Sequence, residues 1–145
     1  MSHVVTYKVG IHNLETLAAM CERLGLEFHR DVTQFRGYYG QHECQHMISL
    51  PGNPERHYQI GVLPHKEQSE EAGFALHFDP WSTGRGVADL KAITGNNMEK
   101  MQYEYLHQCA LETAQAAGGS ISSTETHDAW IFEIEVPDTE AQIWQ

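Results

Sequence analysis

The chain has 145 residues, with nine Lys+Arg against twenty Asp+Glu, ten His and a formal net charge of -11 at pH 7. That length predicts one domain, and the charge excludes a general nucleic-acid binder or a polybasic membrane surface, both of which need clustered Lys and Arg. With 41% hydrophobic and 20% charged residues the composition is globular, and no apolar run is long enough to span a membrane.

Residues 4–11 alternate, with Val5, Tyr7, Val9 and Ile11 on one face of a half-buried strand. Asn13 is placed to cap a helix whose apolar positions, Leu14, Leu17, Ala18, Cys21 and Leu24, follow helical spacing, and Gly25 stands where a C-cap glycine belongs. A second strand is expected over 26–35 and a short one over 45–50, ending at the turn signal Pro51-Gly52-Asn53-Pro54. Residues 57–63 place Tyr58, Ile60 and Val62 inward. Lys66 to Glu71 reads as a loop, and 73–78 as a strand with Phe74, Leu76 and Phe78 on one face. Residues 79–96 form the longest irregular stretch, within which Val87 to Ile93 has the pattern of a short helix.

Asn96 or Asn97 begins a long helix to about Ala117, with a stripe at Met98, Met101, Tyr105, Cys109, Thr113 and Ala116. A hairpin follows over 120–126 and 129–136, turning at His127-Asp128, with Trp130, Phe132, Ile134 and Val136 inward. The order predicts an α+β two-layer sandwich: a mostly antiparallel sheet with two amphipathic helices on one face. The domain covers 1–137, and 138–145 is a C-terminal tail. An uncovered sheet edge makes a homo-oligomer plausible.

Three stretches are candidates for chemistry. His42-Glu43-Cys44-Gln45-His46 matches H-E-x-x-H, which on a helix puts two imidazoles one turn apart to bind zinc and leaves the Glu as general base. Gly37, Gly40 and Pro51 flank it and Met47 to Leu50 reads as strand. On a strand, His42, Cys44 and His46 would share a face and become the metal candidates instead. Arg36-Gly37-Tyr38-Tyr39-Gly40 is a glycine-bracketed aromatic turn that could present a guanidinium and a ring to an anionic or planar ligand. Asp79-Pro80-Trp81 with Arg85 ends the strand at 73–78; there Asp79 could position an arginine and Trp81 could cover a pocket. Arg36, Tyr38, Asp79, Trp81 and Arg85 are therefore the candidate ligand-binding residues. No catalytic residue and no cofactor is assigned, since no nucleophile triad or phosphate loop is present.

The N-terminus lacks a basic segment followed by a long apolar core, and Cys21, Cys44 and Cys109 are odd in number and widely spaced. Reduced thiols in a cytoplasmic setting are expected.

Several short motifs together carry a resemblance. They are Met1-Ser2-His3, Asn13-Leu14 with Leu24-Gly25, Arg36-Gly37-Tyr38 with Gly40, Tyr58-Gln59-Ile60-Gly61-Val62, Phe74 to Asp79 with Trp81, and Leu111-Glu112-Thr113-Ala114 with Gly118. In these the chain resembles the hypothetical chloroplast open-reading-frame thirty-five family of plastids and cyanobacteria, a domain of unknown function also found in other bacteria and in phages. Pro80 stands where the family pattern has its first Trp, and Ser82 where it has Gly. The resemblance implies a small cytosolic protein (in the host cytoplasm if phage-encoded) and no established catalytic residues. The favoured expectation is a non-enzymatic accessory or binding protein, such as a phage or cyanobacterial host-interaction factor, acting on a protein partner or a small ligand and not on nucleic acid directly. The alternatives are a metal-dependent hydrolase built on His42, Glu43 and His46, and an acidic nucleic-acid mimic. The mimic would draw on Glu67, Glu70 and Glu71 and on Glu125, Glu133 and Glu135.

Overall fold

The computed structural model describes residues 4–64, 73–82, 84–125 and 130–135. They form an α+β fold of three helices and nine strands in which every strand pairing is antiparallel. Two compact units divide the chain, residues 1–102 and 103–145.

The first unit is built on a five-stranded sheet of order β1-β7-β6-β5-β2, from β1 (Val5–Ile11), β2 (Glu27–Arg30), β5 (His46–Ser49), β6 (Ile60–Pro64) and β7 (Phe74–Phe78). The register pairs Ile48 with Ile60 and Val62 with Leu76, so the apolar residues of adjacent strands fall on one face, as the alternation in each strand requires. Each of these four residues is fully buried. Helix α1 (Leu14–Leu24) starts where Asn13 Oδ1 accepts the Glu15 and Thr16 N–H groups. It stops at Gly25, which has φ +78°. Leu26 N–H donates to Cys21 O and Gly25 N–H to Glu22 O, the Schellman arrangement that pairs the last carbonyls of the helix. Leu17, Met20 and Cys21 are buried, at the spacing the sequence shows.

The strand expected over 26–35 is two strands. Asp31, with φ 58°, turns the chain after Arg30, and β3 (Gln34–Gly37) then pairs with β4 (Gly40–Glu43) in a separate hairpin. Glycine makes that hairpin possible twice. Gly40 takes φ +99° in the turn. Gly61, on β6, leaves room for the buried Phe35 ring of β3 directly over the sheet. Phe35 forms a cluster with Cys44 and Met47, flanked by Val4, Val32 and Leu63. Two hydrogen bonds add to this packing: Gln45 N–H donates to Val62 O, and Gln59 N–H to Arg36 O.

Helix α2 (Val87–Thr94) occupies the expected place within the long stretch after β7. Helix α3 (Glu99–Ala116) is capped differently from expectation. The Glu99 carboxylate turns back to accept the Asn96 and Asn97 N–H groups at 3.1 and 2.7 Å, so the asparagines supply backbone donors and not the cap. Its buried residues are Met101, Tyr105, Gln108 and Ala114. Thr113 and Ala116 are exposed, so the stripe runs differently from the one the spacing suggested.

In the second unit β8 (Ser120–Glu125) pairs with β9 (Trp130–Glu135) as predicted, with Ser120 opposite Glu135 and Glu125 opposite Trp130. Phe132 stacks on His107, with ring centroids 5.8 Å apart, and also meets Tyr103, one turn earlier on α3. Ile134, expected inward, is exposed. Val136, the turn at His127-Asp128, the tail and Glu67, Glu70 and Glu71 lie outside the described residues. No helix of the described residues is long and apolar enough to cross a membrane.

Candidate functional site

The predicted ligand-binding residues come together from three places in the first unit. The β3–β4 hairpin brings Arg36 and Tyr38, the loop after β7 brings Trp81 and Arg85, and together they line a cleft of about 540 Å³. The segment leading into β6 adds two residues that the sequence reading did not place there, Arg56 and Tyr58; Gln41 and Ser82 complete the polar lining. The alternation over 57–63 predicts Tyr58 as a core position. It is indeed buried, with one edge reaching the cleft. Arg56 left a usable signal: it is the only Lys or Arg between residues 37 and 65, two residues after the Pro51-Gly52-Asn53-Pro54 turn.

Hydrogen bonds of backbone and side chains hold the three segments together. Tyr58 N–H donates to Arg85 O at 2.8 Å. Arg36 Nη1 donates to His57 O at 2.9 Å, which gives this arginine a structural task besides its place in the cleft. Gln59 is buried and serves both sides: its Oε1 accepts Arg36 N–H at 2.8 Å, and its Nε2 donates to Asn53 Oδ1 at 2.8 Å.

Asp79 does not line the cleft. It is 1% exposed, and its carboxylate accepts Tyr38 N–H at 3.0 Å through Oδ2 and Trp81 N–H at 3.4 Å through Oδ1. It thus joins the hairpin tip to the Trp81 loop and acts as a positioning residue for both aromatic walls. Burial, followed by the Asp79 charge, pushes the Tyr58 phenol above its ordinary value; a hydrogen bond with Ser82 and the Arg85 charge pull the other way. The phenol therefore stays protonated at neutral pH and can donate a hydrogen bond.

Three of the chain's nine cations border this one cleft, and all three are arginines. No carboxylate lines it among the described residues. Arg30, by contrast, is paired with Glu15 at 2.6 Å. Arg56 and Arg85 are exposed, and neither has a carboxylate partner within ion-pair distance among the described residues. Both also hold left-handed backbone, with φ 67° and 59°. Glycine adopts that conformation without strain, whereas a side chain there costs about 1–2 kcal/mol. The chain keeps a guanidinium at both positions.

The H-E-x-x-H stretch is not helical. His42 and Glu43 end β4 and His46 begins β5, in a different sheet. The His42 ring lies on Phe35, at 5.3 Å between centroids. His46 Nδ1 accepts Asp31 N–H at 3.1 Å, its ring packed against Phe28 and Phe74. Cys44 Sγ donates to Val32 O. The two imidazoles are therefore not one helical turn apart, and His46 and Cys44 are engaged in holding the strand-to-hairpin junction. Among the described residues no group of three or more His, Cys, Asp or Glu is arranged to hold a metal ion.

Comparison of the chain with family models, with curated proteins and with solved structures gives no match, so the geometry of this cleft is the observation on which a function can be argued.

Proposed function

We propose that this chain is a binding protein, without catalysis of its own, that holds a small anionic ligand in the cleft between Arg36, Arg56 and Arg85. The observation that carries this is that three arginines line one cleft, with no carboxylate among its lining residues, on a chain of net charge -11. A planar fork that keeps its charge at any physiological pH suits phosphate or carboxylate, which it can grip by two parallel N–H bonds. The volume falls within the range of about 300–1,000 Å³ usual for small-ligand sites. Membership of the hypothetical chloroplast open-reading-frame thirty-five family belongs to the same proposal, together with a cytoplasmic, phage- or cyanobacterium-associated setting. It is supported by the motifs that supply Arg36, Tyr38 and Trp81.

Titration calorimetry of the full chain with inorganic phosphate and pyrophosphate tests the reading. Binding should weaken with added salt, and the Arg56→Gln/Arg85→Gln double variant should lose about tenfold or more in affinity, since a charged hydrogen bond contributes about 1.5–3 kcal/mol. Its melting temperature should be unchanged within error. Absence of binding to either anion refutes the reading.

A protein partner is the second reading, favoured by the exposure of Tyr38 (60%), Tyr39 (66%) and Trp81 (55%) beside arginines, the residue types that dominate interface hot spots.

A further inference from the structure

We propose that the ligand of this cleft carries two anionic groups joined by a short spacer, as a dicarboxylate or a diphosphate does: one group at the inner end against Arg36, the other at the rim with Arg56 and Arg85. The inference rests on the anion-binding reading above and adds the number and spacing of the charged groups.

The three arginines are not equivalent. Arg36 is half-buried and pinned, since its Nη1 donates to His57 O at 2.9 Å. That bond occupies one of the five N–H donors of the guanidinium. Arg56 and Arg85 are exposed, and among the described residues neither pairs with a carboxylate. One peptide group, between His57 and Tyr58, joins the two kinds. Its carbonyl accepts Arg36 Nη1, and its N–H donates to Arg85 O at 2.8 Å. A trans peptide points its C=O and N–H in opposite directions, so the Arg36 guanidinium and the Arg85 backbone lie on opposite sides of it. Arg56 is the residue before His57. The fixed guanidinium and the two exposed ones therefore enter the cleft from separate points.

The rest of the lining shows the same gradient of depth. Gly37 and Tyr58 are buried and Ser82 is half-buried, whereas Gly40 and Gln41 are exposed. A single phosphate or carboxylate on the pinned Arg36 would fill a small part of 540 Å³ and leave the exposed pair to water. Charge leads to the same count. Asp79 lies behind the inner wall, its Cβ 3.5 Å from where a side chain on Gly37 would begin, and offsets one of the three arginines. The excess of two positive charges is balanced by a ligand with two anionic groups.

The test is calorimetric titration of the full chain with two series of anions. The first is acetate and the α,ω-dicarboxylates from malonate to adipate. The second is phosphate, pyrophosphate and bisphosphonates with two- and three-carbon spacers. At about pH 7.5 the dicarboxylates carry equal charge, so differences among them read spacing and not charge. In at least one series, one member should bind about tenfold or more tightly than the single-group anion, because the second group binds at the effective concentration set by the spacer. Affinity should fall at other spacer lengths. Arg36→Lys keeps a charge but loses the planar fork, and it should remove both the gain and the preference for length. The wild-type series alone decides the inference should that variant not fold. If anions bind but no two-group member gains over its single-group anion, or the gain is the same at every spacer length, the two-group inference falls while the anion-binding reading stands. A folded Arg36→Lys that keeps the length preference also overturns the inference. If no anion of either series binds, both readings fall.

Discussion

Gly61→Ala is the sharpest test of how the cleft is held. Gly61 is the second residue of β6, paired with Met47 on one side and His77 on the other. A Cβ built there would come within 2.5 Å of Phe35 Cε1 and 3.0 Å of Cγ, with Cδ1 nearer still. Two effects favour the alanine. Glycine in a strand interior gives up about 0.5–1 kcal/mol in backbone entropy, and a buried methyl contributes about 0.8 kcal/mol. The clash opposes both. Phe35 is 1% exposed and wedged against Cys44 and Met47, so the ring has no free volume into which to move. Overpacking of this kind costs about 1–3 kcal/mol, and expelling the ring altogether about 3–5 kcal/mol. The clash wins, leaving a net loss of about 2 kcal/mol. For a chain of this length that lowers the melting temperature by about 5–10 °C. Urea denaturation of the wild type, Gly61→Ala, Phe35→Leu and the double variant forms the assay. The smaller leucine should relieve the clash, so the two changes should couple by about 1 kcal/mol or more. Because β3 carries Arg36, anion binding should weaken in Gly61→Ala and recover in part in the double variant. A neutral or stabilising Gly61→Ala, or a coupling below about 0.5 kcal/mol, would show that Phe35 does not anchor the hairpin to the sheet.

Three further outcomes follow from buried polar groups and thiols. Asp79→Ala strips the acceptor from Tyr38 N–H and Trp81 N–H and should lower stability by about 2 kcal/mol in urea melts, with loss of anion affinity; a change below about 0.5 kcal/mol contradicts its positioning role. Burial, with Arg30 acting in the same sense and Asp31 opposing, lowers the His46 imidazole below its ordinary value of 6.5. The unfolded chain then binds the proton more readily, so the contribution of His46 is complete above about pH 6.5 and is lost as pH falls from there through the lowered value. Stability curves of wild type and His46→Asn should therefore converge on acidification, and parallel curves would refute the assignment. Burial pushes the Cys21 thiol up to about 12 and Cys44 up to about 11, so at pH 8 only about one thiolate in ten thousand and one in a thousand are present. A thiol reagent should modify both only after unfolding; native-state labelling at the rate of the unfolded chain would contradict their burial.

Much of the architecture was legible from residue order because local physics dictates it. Asn13 and Gly25 bound α1 through cap hydrogen bonds that need only neighbouring residues. The alternation around Ile60, Val62, Leu76 and Phe78 marks strands whose registers place those side chains together. The β8–β9 hairpin was equally readable. The break at Asp31 was not, since its left-handed turn is held by His46, fifteen residues away. The α3 stripe also misled, because its helical period leaves open which of several neighbouring rows is buried, and packing selects Gln108 and Ala114 over Thr113 and Ala116.

The candidate site divides in the same way. Composition alone established that cations are scarce, that Arg36 and Tyr38 share a glycine-bracketed turn and that Trp81 and Arg85 share a loop. Only the tertiary structure decided that these two segments face one cleft, that Arg56 and Tyr58 join them, and that Asp79 supports the walls from beneath. It also placed His42 and His46 in different sheets, where a sequence match alone had set them side by side. The physical reason is range. Caps, turns and alternation are settled within a few residues, whereas the cleft depends on Phe35 seating over Gly61 and on Asp79 reaching Tyr38, contacts separated by 26 and 41 positions in the chain.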